Sequence, residues 1–232
     1  MANRLRGRAA ATRPGRATAT ALLALAVLAG CAIMRAPTHP QLAAAAQEGD
    51  ILALSDTLEA LIAQGQDTAS DRAYAYEVVK KVDADTAATA YARAAVTGRL
   101  VQDRGLRAAN LVPDVEKYGL RSRELDPDFR DGAATVLVGK LYVMAPATLL
   151  KKGDSETGLE LLEEVVTKYP EAPDNHLRLA EAYVTLHDPE PAQEHLCFCL
   201  EHKDALRPDD QQVLKDLLDD AGPLPCAAPG AP

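Results

Sequence analysis

Apolar residues recur along this chain at intervals of three and four positions, a spacing that predicts a succession of amphipathic α-helices. Four such segments precede residue 127, each bounded by cap or stop residues: Ile51 to Gly65, Ser70 to about Lys81, Asp85 or Thr86 to Gly105, and Pro113 to Asp126. A last helix is expected to begin at Pro208, and no segment alternates in the way a half-buried strand would. The pattern therefore predicts an all-α fold.

Residues 132–204 contain one pattern of small, aromatic and leucine residues written twice. The copies are Val138-Gly139-x-x-Tyr142, Gly158-x-x-x-Leu162 and Pro170, then Leu179-Ala180-x-x-Tyr183 and Ala192-x-x-x-Leu196. Gly158 and Ala192 are 34 residues apart, as are Leu162 and Leu196. The first copy holds seven extra residues between its tyrosine and the following glycine, in a stretch with turn-forming Ala145-Pro146 and Gly153-Asp154.

This repeat resembles the tetratricopeptide signature, which has the same residue types and a period of 34. Such helix pairs bury their apolar faces only by stacking on neighbouring pairs. We therefore predict stacked, tetratricopeptide-like helix pairs forming an α-solenoid over residues 42–220, with residues 42–125 as degenerate repeats and 221–232 as a loose tail. An ordinary helical bundle is the alternative.

The N-terminus has the pattern of a secretion signal. Five arginines precede an apolar run over residues 21–30, and the first acidic residue is Glu48. The run ends in Leu28-Ala29-Gly30-Cys31, which looks like a bacterial lipobox. We expect residues 1–30 to be cleaved, Cys31 to be lipidated, and residues 31–41 to form a tether. An ordinary signal with an incidental cysteine is the alternative.

The charge of the mature chain disfavours several functions. Loss of residues 1–30, with five arginines and no acid, changes the formal net charge from -9 to -14. Nucleic acids bind basic surfaces, so we expect no nucleic-acid partner. The sequence has no nucleophile elbow, Gly-rich phosphate loop or H-E-x-x-H motif, so we also expect neither an enzyme nor a cofactor.

Helical-repeat arrays usually bind partners on the concave face, which is lined by the first helix of each pair. Steps of three and four from the signature residues predict the members of this face: Val136, Lys140, Val143, Met144, Leu177, Glu181 and Val184. The predicted face is apolar, with one cation and one anion. Val136 and Leu177 suit contacts with neighbouring helices equally well.

The cysteines allow two interpretations. His195, Cys199 and His202 share one helical face and are ligand types that suit zinc or copper, although one helix rarely supplies a whole site. Export to an oxidising compartment favours a disulfide instead. We favour Cys197 with Cys226, because Cys199 occupies a small, buried position of the repeat and is expected to face the core.

The segment from Asp131 to Tyr183 resembles the T-component lipoproteins associated with TRAP transporters. The matching elements are Asp131-Gly132-Ala133-Ala134, Gly139-x-Leu141-Tyr142-x-x-x-Pro146, Gly153-Asp154 and Asn175-His176-Leu177-x-x-Ala180-Glu181. The resemblance implies an all-helical periplasmic lipoprotein that associates with a solute-binding protein. It does not extend to the Cys197-Phe198-Cys199 segment or to Cys226.

Two functions remain open on the sequence alone. The resemblance favours an accessory of a TRAP-type transporter, which binds a periplasmic solute-binding protein or its solute. The runner-up is a scaffold for assembling outer-membrane proteins or secretin and pilus machinery, because the same anchor and repeats suit it. Either would lie at the periplasmic face of a bacterial membrane. No acidic residue stands directly after Cys31, which favours the outer over the inner membrane, and homo-oligomerisation stays open.

Overall fold

The computed structural model describes residues 36–221 and Cys226, and no strand occurs among them. Its α-helices are α1 (Pro40–Glu48), α2 (Ile51–Ala63), α3 (Ala69–Val79), α4 (Ala87–Arg104), α5 (Val112–Leu125), α6 (Ala133–Met144), α7 (Ser155–Lys168), α8 (Pro173–Thr185), α9 (Pro189–Glu201) and α10 (Pro208–Ala221). Short 3-10 segments cover Gly105–Leu111, Ala147–Leu149 and Lys203–Ala205. The predicted signal peptide, Cys31 and most of the tail lie outside the described residues.

Two helices begin earlier than the sequence predicts. The cap of α3 is Thr68 rather than Ser70, because Thr68 and Asp71 form a capping box in which each side chain accepts a hydrogen bond from the other's backbone N–H. The first helix, α1, starts at Pro40, so residues 40 and 41 belong to the helical domain and not to the tether. Proline suits this first position because it needs no N–H partner there.

Adjacent helices pack as pairs, α4 with α5, α6 with α7, and α8 with α9, which confirms the predicted all-α helical-repeat architecture. The α6–α7 pair meets at two glycines. A Cβ added to Gly139 would lie 2.9 Å from the carbonyl oxygen of Gly158, and one added to Gly158 would lie 2.7 Å from that of Gly139. Only residues without a side chain permit this backbone approach.

The last helix closes the array onto its beginning. Helix α10 packs against α8 and α9, where Leu177, Leu196 and Leu214 share one buried cluster, and it also contacts α2. Arg207, immediately before α10, forms an ion pair with Glu59 of α2, 148 residues earlier in the chain. The first helices of successive pairs are thereby brought around a common interior.

Candidate functional site

A continuous chain of ion pairs connects five helices inside the array. In order along the contacts, its members are Lys140, Glu181, Arg178, Asp210, Arg207, Glu59 and Arg99. We call these seven residues the ion-pair chain. Lys140 Nζ lies 2.8 Å from Glu181 Oε2 at one end, and Arg99 Nη2 lies 2.5 Å from Glu59 Oε2 at the other.

The ion-pair chain is partly withdrawn from water, and its charges depend on one another. The side chains of Arg178 and Asp210 are 13% and 3% exposed, and the two form an ion pair. Burial acts to raise the pKa of Asp210, but the guanidinium groups of Arg178 and Arg207 outweigh it and hold the pKa below its ordinary value. Burial lowers the pKa of Lys140, and the nearby Arg178 adds to this effect.

Most residues of the predicted concave face are occupied by contacts within the fold. Lys140 and Glu181 neutralise each other, and Leu177 is fully buried in the cluster beneath α9 and α10. Val136 and Val143 pack half-buried against the α7–α8 cluster. These residues therefore form packed and paired contacts between helices, rather than an open apolar stripe.

One edge of the predicted face remains open. Met144 is 50% exposed at the end of α6, and Thr185 of α8 lies beside it, with its hydroxyl 3.7 Å from the Met144 sulfur. Val184 is half-buried against the α8–α10 cluster. Met144 is the member of the predicted set with the most surface available to a partner, and methionine adapts readily to varied apolar contacts.

The three candidate metal ligands, two on α9 and His202 directly after it, contact different partners. His195 Nδ1 lies 3.0 Å from Nδ1 of His176, the Cys199 thiol lies 3.5 Å from the Pro173 carbonyl oxygen, and His202 Nδ1 lies 2.9 Å from the Phe198 carbonyl oxygen. Within the described residues, no group of three or more His, Cys, Asp or Glu side chains is arranged to hold a metal ion.

The contact between His176 and His195 requires a neutral His176 ring. His176 Nε2 lies 2.9 Å from the Pro170 carbonyl oxygen and must donate to it, so its Nδ1 accepts from His195 Nδ1–H. Burial lowers the pKa of both rings. Phe198 stacks on His176 at 4.1 Å between ring centroids, which places the pair in an aromatic cluster.

Cys197 and Cys226 form a disulfide with Cα atoms 5.4 Å apart, the pairing favoured from the sequence. Cys199 is the free, buried cysteine of the described residues, and burial raises the pKa of its thiol to about 12. A thiol that is protonated and inaccessible is a packing group and not a nucleophile.

Sequence reasoning missed most of the ion-pair chain. Arg178 stands one helical turn before Glu181 and could have been inferred from that spacing. Glu59, Arg99 and Arg207 carry no local signal, because Arg99 of α4 meets Glu59 of α2 between helices, and Arg207 reaches Glu59 only when α10 closes onto α2.

No protein-family model matches this chain, and neither does any curated protein. Among the helices of the described ranges, none has both the length and the apolar character needed to cross a membrane. The structural class is an all-α helical-repeat fold, and any finer assignment rests on the residues themselves.

Proposed function

We propose that this chain is a membrane-anchored periplasmic scaffold of tetratricopeptide-like repeats, which serves as an accessory of a TRAP-type solute transporter. The role is non-catalytic. The scaffold binds a periplasmic solute-binding protein, or that protein's ligand, and the lipid on Cys31 holds it at the membrane, the outer membrane in preference to the inner.

The observation that carries this proposal is a helical-repeat array directly behind a lipobox. The residues that resemble the T-component lipoproteins support it, because they occupy structurally demanding positions. Gly139 makes the close contact between α6 and α7, and a Cβ on Gly153 would lie 2.1 Å from the ring of Tyr142. At both positions only glycine fits, so these two residues of the resemblance are required by the geometry of the α6–α7 pair and its loop.

Met144 is the proposed contact for the solute-binding protein. Met144→Asp places a charge on this half-exposed side chain without touching the ion-pair chain, so the fold should persist while binding weakens by at least about tenfold. Leu106→Asp is the matched control, because Leu106 is 88% exposed and belongs to the 3-10 segment after α4. If both variants lose affinity equally, or if neither loses affinity, Met144 is not the contact for the solute-binding protein.

The anchor is tested separately from the partner. Cys31→Ala should release a soluble or uncleaved form, whereas the unaltered protein stays with membranes through a carbonate wash. If the Cys31→Ala protein still sediments with membranes, lipid anchoring at this residue is wrong.

A further inference from the structure

A cleft of about 520 Å³ lies between α5 and the segment that precedes α7, away from the ion-pair chain. Four cationic side chains line it: Lys117, Arg121, Lys151 and Lys152. Leu120 and Pro113 contribute apolar wall. This concentration of positive charge stands out in a chain whose formal net charge is -9.

A buried carboxylate fixes the backbone at the mouth of the cleft. Glu116 is 1% exposed, and its oxygens accept hydrogen bonds from the backbone N–H groups of Lys151, at 2.9 Å, and Lys152, at 2.6 Å. Burial and the nearby Glu116 carboxylate raise the pKa of Tyr142. Glu116 thus holds two consecutive lysines in place through main-chain contacts, while both lysine side chains remain exposed.

The lining carries four cations against the two carboxylates of Glu116 and Glu124, a formal excess of two positive charges, and three of its ammonium groups form no ion pair with described residues. Arg121 pairs with Glu124 at 3.0 Å, and Glu116 is occupied by backbone N–H groups. Within the described residues, Lys117, Lys151 and Lys152 form no ion pair, although Lys117 Nζ stands 4.9 Å from the Tyr118 ring centroid. Asp83, Asp85 and Asp114 neighbour lining residues in sequence but do not line the cleft.

We propose that this cleft binds an organic phosphate monoester, a site distinct from the proposed partner surface and independent of the proposed function. A phosphate monoester carries a charge of about -1.5 to -2 near neutral pH and three strong acceptor oxygens, which match three unpaired ammonium donors. The apolar wall beside Leu120 and Tyr118 accommodates the organic group. A soluble ester and a lipid headgroup offer the same chemistry.

The seven residues by which the first repeat exceeds the second lie between Tyr142 and Gly158, in the stretch that contains Lys151 and Lys152. The longer connection is what brings these lysines over α5. In the second repeat, the connection between α8 and α9 is only Leu186 to Asp188, which contains His187 but no lysine or arginine. The proposed site therefore gives the extra seven residues a function, namely to place two lysines beside the cleft, which the packing of the repeats does not require.

The test is calorimetric titration of the full-length protein in detergent at low salt, with phenyl phosphate and dihexanoyl phosphatidic acid as probes. We expect saturable binding of at least one probe, and the tighter of the two identifies the source. The double variant Lys151→Ala/Lys152→Ala should weaken binding by at least about tenfold, because it removes two of the three ammonium groups. It keeps both backbone N–H contacts to Glu116, so the fold is retained.

Lys215→Ala is the matched control, since Lys215 is an exposed lysine on α10 that does not line the cleft. The affinity of the Lys215→Ala protein for the probe should stay within about twofold of that of the unaltered protein. The proposal is overturned if neither probe binds, if the double variant binds as tightly as the control, or if benzoate binds as tightly as phenyl phosphate.

Discussion

Replacing Gly158 by alanine should drive α6 and α7 apart. The added Cβ would lie 2.7 Å from the Gly139 carbonyl oxygen and 2.8 Å from Tyr142 Cβ. Both neighbours are held by the backbone of α6, so neither can rotate away. The helices must separate by several tenths of an ångström, which also opens the buried contact of Tyr142.

The magnitude follows from comparing this site with a second helical glycine. Overpacking a tightly packed contact costs about 1–3 kcal/mol, whereas glycine to alanine inside a helix gains about 0.5–1 kcal/mol. Gly98 of α4 has Val115 Cγ1 at 3.8 Å as the nearest atom to an added Cβ, which is ordinary contact. Gly98→Ala should therefore stabilise the protein, while Gly158→Ala destabilises it by about 1–2 kcal/mol.

Thermal unfolding followed by far-UV circular dichroism measures both variants. For a domain of this size, each kcal/mol changes Tm by about 2–4 °C. Helix propensity contributes equally to the two substitutions, so the difference between the two Tm values isolates the steric clash. If Gly158→Ala raises Tm as much as Gly98→Ala does, the close approach of α6 and α7 is wrong.

Three further predictions concern the interior and the tail. Stability should fall as pH is lowered below about 6.5, because the lowered pKa values of His176 and His195 mean that the unfolded chain binds more protons; His195→Gln should flatten this part of a Tm-against-pH profile. Arg178→Met leaves the buried carboxylate of Asp210 with one partner fewer and should cost about 3 kcal/mol in denaturant unfolding. Cys226→Ser opens a 29-residue link and should lower the free energy of unfolding by up to about 3.6 kcal/mol, with no further loss on adding reductant.

The repeat was predictable from sequence because its determinants are local and periodic. Gly139, Gly158 and the two tyrosines have signature spacing, and the structure places the two glycines at the α6–α7 contact. Caps were less certain, because Thr68 and Ser70 are both good cap residues, and the reciprocal bond with Asp71 decides between them. The choice depends on one side-chain partner that periodicity does not reveal.

The interior was not predictable in the same way. Stepping along α6 and α8 located Lys140 and Glu181, which meet at 2.8 Å, but it did not show that the two side chains pair with each other. The closure of α10 onto α2 brings Arg207 to Glu59. Contacts between residues 148 positions apart leave no trace in a local pattern, so the sequence predicted one cation and one anion where seven charged residues form a chain of ion pairs.

The most direct test of the proposed transport role is the identity of the partner. The membrane-anchored protein is cross-linked in intact cells and captured, and its bound proteins are identified by mass spectrometry beside a Met144→Asp capture. The account predicts a soluble periplasmic solute-binding protein, recovered with the unaltered chain and depleted with Met144→Asp. Recovery of β-barrel assembly or secretin components alone, unchanged in the variant, would contradict it.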